Sequence, residues 1–305
     1  MTISKAKRIS FKFLSLFSAL RVYNILVLIF AQYLAAIFVF SPTKSLKDVI
    51  FDLHLFFLVL ASIFVVAGGY IINNFYDVKV DKINRPLKSG LDNYVKQATK
   101  LRLYFLLNFS GFCFGILISW RAALFFAVYI FSIWFYSHKL KKHPLFKVIS
   151  ATVLTILPFF AVFVYFENFS KIIFFQAFFL FLVIMVRELI KDLQKIKGAI
   201  ANNYSTFPVI YGEKRTKQVS ILLLSCTGIP ITVLFSYPAL SYMRYYFYFA
   251  LVILVFVGFY LWKSKTTNHY RILHNILKLL LLIGVLCLVF IDTSLLLDKV
   301  IDILN

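Results

Sequence analysis

Nine windows of this sequence stay apolar for long enough to cross a bilayer, and that constrains the fold more than any motif does. They lie at about residues 17–40, 55–74, 102–119, 122–137, 148–166, 172–190, 218–237, 245–262 and 276–296. In hydrocarbon every backbone N–H and C=O must find its partner within the chain, so apolar windows about 20 residues long are expected to be helices. Composition agrees, with 62% of residues hydrophobic and 15% charged. The expectation is an all-α membrane protein with nine transmembrane helices. Residues 1–305 read as one membrane domain, because no linker, low-complexity tail or internal repeat divides them. Windows 102–119 and 122–137 are the least separated, with little more than Arg121 between them.

A formal charge of +21 invites a nucleic-acid reading until the charges are sorted by loop. Of 33 Lys and Arg, 27 fall on the N-terminal segment and alternate loops, and the other side holds Lys44, Lys47, Arg121, Lys171, Arg244 and Lys299. That asymmetry predicts a cytoplasmic N-terminus and, after nine spans, an external C-terminus in a bacterial or archaeal cell membrane. The basic excess is then topology plus attraction to anionic membrane lipids or phosphate, with no nucleic acid as partner. Met1 to Lys12 is a basic lead-in to a run long enough to span, so the first helix is expected to serve as its own insertion signal. Cys113, Cys226 and Cys287 sit inside apolar windows and read as packing residues.

Chemistry concentrates in two long cytoplasmic loops. The first opens with Asn73, Asp77 and Asp81, spaced four apart, which on a helix drift by only about 40° per step and make one polar stripe. Two carboxylates and an amide at the rim of a membrane helix are costly unless they hold something cationic. Gly68 and Gly69 allow close helix approach just before the stripe, and Pro86 stops the helix just after it. The second loop, from Arg187 to Gly212, carries Arg187, Lys191 and Lys195 at the same four-residue spacing, with Glu188 and Asp192 beside them.

Taken together these segments resemble the UbiA-type intramembrane prenyltransferases, most closely the archaeal-type geranylgeranylglyceryl phosphate geranylgeranyltransferases. Asn73, Asp77 and Asp81 match the first N-x-x-x-D-x-x-x-D motif, with Asn84, Arg85 and Pro86 following it. Arg21 and Asn24 resemble the Arg-x-x-Asn at the entry of the first helix, and Tyr136, Ser137 and Lys141 the Tyr-Ser and basic residue after the fourth. RELIKD at 187–192 and Thr206-Phe207-Pro208 resemble the second region. The resemblance implies nine helices around a cytoplasm-facing cavity, a prenyl diphosphate donor, a lipid-like or aromatic acceptor, and Mg²⁺. It also assigns Asp77 and Asp81 to metal and Asn73 to positioning it. Arg21, Asn24, Arg85, Tyr136, Lys141, Lys191, Asp192 and Lys195 are implied to bind substrate.

Laid on the family pattern, the paired aspartates of the second motif fall on Lys195 and Ala199, while Asp192 matches an acidic position one turn earlier. Asn74 also stands where the family usually has Asp. Ionising an allylic diphosphate is slow unless cations neutralise the leaving group. Magnesium takes one or two carboxylates plus water and phosphate oxygens, so Asp77 and Asp81 suffice for one ion. The second ion lacks its carboxylates, and Lys195 could supply a fixed positive charge instead.

Each of these readings has a plainer competitor. Asp77 and Asp81 could belong to a solvated helix end paired with Lys79, Lys82 and Arg85, and the Arg187 stripe to positive-inside anchoring. Glu188 and Asp192 could simply pair with Lys191 and its neighbours. His138 and His143 read as interfacial, and the 37 Phe mostly as lipid contact and packing. At the level of function, a non-catalytic member that binds prenyl lipid or a partner stays open. A transporter would call for an inverted repeat or matching interrupted helices, and neither is visible.

Overall fold

The structure, a computed structural model, describes residues 5–291. Among them nine helices are long and apolar enough to cross a membrane: Val22–Phe40, Leu53–Asn84, Gln97–Ile118, Trp120–Lys142, Pro144–Phe166, Lys171–Gln194, Phe207–Phe235, Met243–Lys263 and Thr267–Phe290, numbered here as spans 1 to 9. Every regular element among the described residues is helical. Positions 292–296 of the ninth window, and Lys299, lie outside the described residues.

Three boundaries differ from the apolar windows for local reasons. The first window divides at Arg21, which adopts a left-handed conformation (φ 52°, ψ 52°) and separates an amphipathic helix, Lys5–Leu20, from span 1. Span 2 continues past its window to Asn84, so its 32 residues rise about 48 Å at 1.5 Å each and exceed the hydrocarbon thickness. The aspartate stripe occupies that overhang. Span 7 begins at Phe207, well before its window, and bends at Gly212, whose φ of 82° suits glycine. The close pair, spans 3 and 4, parts at Ser119, which leaves helical geometry and accepts a capping bond from the Ala122 amide at 3.1 Å.

Span 2 is the hub, packed closely on spans 3 and 4. A Cβ on Gly111 would lie 2.7 Å from Val65 Cγ2, and one on Gly69 3.0 Å from Ile133 Cγ2, so these contacts depend on the missing side chains. Pro158 inside span 5 lacks an N–H and frees the Leu154 carbonyl four residues back. The Tyr129 hydroxyl donates to that carbonyl at 2.9 Å. Gln32 Nε2, fully buried, donates to Ser62 Oγ and to the Pro158 carbonyl, both at 2.9 Å, and so ties spans 1, 2 and 5.

Because the spans alternate in direction, the first motif at the end of span 2, the basic segment ending span 4, and the close of span 6 share one end of the bundle. A short helix, Ile196–Ala201, folds from span 6 back onto span 2. The Gly198 amide donates to Asn84 Oδ1 at 3.3 Å, and a Cβ on Gly198 would stand 2.2 Å from Asn84 Nδ2. Only glycine lets the two long loops meet this closely.

Candidate active site at one end of the bundle

A cavity of about 400 Å³ opens where the two loops meet. Arg21, Asn24, Asn73, Asp77, Tyr136, Lys141, Lys191, Asp192 and Lys195 all line it, joined by Lys147, Arg187, Glu188 and Lys278. Its deeper wall is apolar, with Leu28 and Ala31 from span 1, Ile184 from span 6 and Leu282 from span 9. Two of the implied site residues do not line it. Asp81 is only 6% exposed, behind Lys195, and Arg85 caps the end of span 2, near enough to Lys195 to act on it electrostatically.

Asp81 and Asp192 are buried and Asp77 half-buried, and each has a lysine from another element. Asp77 pairs with Lys141, Asp192 with Lys147, and Asp81 Oδ1 lies 3.2 Å from Lys195 Nζ. A solvated helix end paired with Lys79, Lys82 and Arg85 is therefore not what the structure shows. Glu188 does pair with Lys191, at 2.6 Å, but Asp192 takes Lys147 instead. Asn73 Oδ1 accepts from Ser137 Oγ at 3.0 Å, which fixes the amide beside Asp77. Asn74 faces away from the cavity, where its Nδ2 donates to Asp92 at 2.8 Å and its Oδ1 accepts from the fully buried Lys100 at 2.9 Å. It belongs to a structural network.

Lys195 sits just beyond the end of span 6. Burial is the main influence on it and holds its pKa down to about 8, against the pull of Asp81 in the opposite direction. The Tyr204 hydroxyl, beside the cavity, is pushed up by burial and by the charge of Asp77. Ala199, the other position matching the second motif, is 3% exposed and offers no ligand.

Sequence reasoning passed over Lys147 and Lys278. Nothing local marks Lys147, whose partner Asp192 is 45 residues away. Lys278 did carry a signal, as a lone charge within the apolar run of span 9, and an ionisable residue there is a functional candidate by default. Cys113, Cys226 and Cys287 are free and half-buried, as expected of packing residues.

This fold and site define a class. Residues 24–282 match the UbiA prenyltransferase family, and the chain belongs to it. It is an integral membrane protein whose class of chemistry is prenyl transfer. The chain is 29% identical over 237 residues to a digeranylgeranylglyceryl phosphate synthase of Methanobrevibacter smithii, covering 72% of this chain and 78% of that one. A protein of the same description from Korarchaeum cryptofilum is 25% identical over 243 residues, covering 78% and 85%. Among solved structures, one reported for digeranylgeranylglyceryl phosphate synthase in membranes superposes with a TM-score of 0.70 at 17% identity, over 92% of this chain and 99% of that one. A UbiA homolog from Archaeoglobus fulgidus bound to GPP and Mg²⁺ superposes at 0.67 and 14% identity, over 90% and 99%.

The residues present fit one magnesium ion. Asp77 Oδ1 is shut off from solvent against the Lys141 ammonium, with Lys195 and Lys147 close enough to act on the same carboxylate, and it lies four residues from Asp81 on the same helix. No three His, Cys, Asp or Glu cluster among the described residues as a ready-made metal site. An ion here would draw its other ligands from water and substrate, which is how magnesium is commonly held. At the positions matching the second motif, Lys195 stands beside Asp81 and Ala199 carries no carboxylate, so neither offers a metal ligand.

Proposed function

We propose that this protein moves a polyprenyl group, geranylgeranyl in length, from its diphosphate to a glyceryl phosphate-type lipid within the membrane, using one magnesium ion. The observation that carries this reading is the position of Asp77: half-buried, ringed by lysines, and facing the charged end of a cavity whose other wall is apolar. The names of the matched relatives support the glyceryl phosphate lipid over an aromatic acceptor.

Magnesium held by Asp77, and by Asp81 once Lys195 leaves it for the diphosphate, would neutralise the departing diphosphate as charge develops. Asn73, fixed by Ser137, positions the diphosphate end of the donor beside Asp77. Lys141 and Lys195 hold diphosphate oxygens, and Lys195 supplies in fixed form the charge that a second ion would otherwise bring. The apolar wall takes the isoprenoid tail and keeps water from the allylic cation, so that the acceptor hydroxyl captures it and gives up its proton to the released diphosphate. The side lined by the first motif is the cytoplasmic one, as the distribution of Lys and Arg supports.

A second reading rests on one observation. With Lys195 on Asp81 and Ala199 carboxylate-free, the protein would bind prenyl lipid without turning it over. Incubating purified protein with radiolabelled geranylgeranyl diphosphate and an acceptor panel, with and without Mg²⁺, separates the two. Magnesium-dependent transfer supports the enzyme, and donor binding without product supports the binder.

A further inference from the structure

The charges around the cavity fall into two unequal groups. In the first, Asp77, Asp81 and Asp192 are each matched by a lysine, namely Lys141, Lys195 and Lys147, so that group is neutral on its own. In the second, Arg21, Arg187, Lys191 and Lys278 line the cavity with a single carboxylate, Glu188, which pairs with Lys191 and Arg187. Glu188 is already engaged with Lys191 at 2.6 Å, and Arg187 reaches it only at 3.9 Å. Arg187 Nε is buried with no hydrogen-bond partner among the described residues. Among the described residues Arg21 and Lys278 make no ion pair, and they rest on aromatic faces, Arg21 on Tyr70 at 4.9 Å and Lys278 on Tyr23 at 4.4 Å. A ring face stabilises a cation without cancelling its charge. Each of these cations lies within reach of the repulsion of at least one other, since Arg187 and Arg21 act on both Lys191 and Lys278.

Four cations around one carboxylate, lining a cavity with an apolar wall, are arranged for an anion. We infer that Arg21, Arg187 and Lys278 form a second phosphate-binding subsite, which holds the phosphate monoester of the acceptor lipid apart from the diphosphate of the donor. This rests on the prenyl-transfer reading above and deepens it by assigning residues to the acceptor's phosphate. Charge balance supports the division. The neutral group with one magnesium ion and a trianionic alkyl diphosphate is left with one negative charge. The second group, carrying three excess positive charges, is left with one positive charge by a phosphate monoester of about two negative charges. The two sides then cancel, whereas an uncharged acceptor would leave the cavity strongly positive. Arginine's planar fork matches phosphate oxygens in pairs, and Lys278 reaches up from inside span 9, whose neighbouring Leu281 and Leu282 continue the same wall toward an acceptor's chain. Tyr136 lies between the groups, close enough to feel Asp77 and Asp192 on one side and Arg21 on the other.

The test compares Lys278→Met with wild type, since methionine keeps length and suits an apolar span. Two acceptors differ only in the phosphate: geranylgeranylglyceryl phosphate and geranylgeranylglycerol. Wild type should favour the phosphorylated acceptor by about 100-fold in kcat/KM, the size expected when charge-assisted contacts to phosphate are lost. Lys278→Met should raise the KM for that acceptor about tenfold, erase most of the preference, and leave the donor KM within twofold. A raised donor KM with the preference intact would assign these cations to the donor's diphosphate and overturn the subsite. A direct arm needs no turnover: equilibrium binding of radiolabelled geranylgeranylglyceryl phosphate to donor-free protein. If that binding weakens in Lys278→Met while no acceptor is ever prenylated, the subsite stands and the enzymatic reading falls. If Lys278→Met and Arg187→Gln both bind the phosphorylated lipid as wild type does, the subsite is wrong whatever the activity.

Discussion

Asp77 and Lys195 carry the account at the scale of single residues. Asp77→Asn keeps the shape of the side chain and removes the charge that holds magnesium against its hydration shell. Transfer should fall by about 100-fold or more, with folding and insertion unchanged on gel filtration. Retention of near wild-type transfer would show that the motif holds no metal. Lys195→Ala should slow transfer by roughly 10- to 150-fold, the range for losing a charge-assisted contact of about 1.5 to 3 kcal/mol. Pairing Lys195→Asp with Ala199→Asp recreates a carboxylate pair and should restore rate with a steeper magnesium dependence. A lysine that merely anchors would tolerate alanine with less than a twofold change. The pKa of Lys195 gives the pH arm its sign: held at about 8, the ammonium is charged at neutral pH and loses its proton as the pH rises through that value. Transfer should therefore decline above about pH 8 in wild type and stay level over the same range in Lys195→Arg, since guanidinium keeps its proton. The first motif was readable because its residues repeat at helical spacing. The partners of its carboxylates were not, since Lys195 reaches Asp81 across 114 residues of sequence and Lys147 reaches Asp192 across 45.

At the scale of elements, hydropathy located the membrane helices, because burial in lipid demands apolar length and little else. It misplaced the ends, where polar residues continue the helix for tertiary reasons. Span 2 runs on to Asn84 because the short helix Ile196–Ala201 docks against it through Gly198. Gly198→Ala should displace Asn84, cost about 1 to 3 kcal/mol, and lower both the melting temperature and transfer. An unaltered melting curve would mean that the loops are not joined at this point. The Pro158 kink offers a parallel case, invisible in sequence beyond the proline itself. Tyr129→Phe leaves the buried Leu154 carbonyl unpaired and should destabilise the protein by about 1 to 3 kcal/mol in thermal unfolding.

Across the whole molecule, the alternation of spans brings Arg21, the first motif, the segment after span 4 and the close of span 6 to one end of the bundle, which on the reading proposed above faces the cytoplasm. Single cysteines at Lys197 and Lys171, at opposite ends of span 6, should be labelled from the cytoplasmic and the external face respectively. Labelling from one face alone would break the topology. The measurement that bears most directly on the central claim is transfer by purified protein from radiolabelled geranylgeranyl diphosphate to geranylgeranylglyceryl phosphate across a magnesium titration. A lipid product bearing two prenyl chains, formed only with magnesium and saturating as a single-ion dependence, is the expected result. Donor bound with no product at any magnesium concentration, for this acceptor and for aromatic ones, would contradict it.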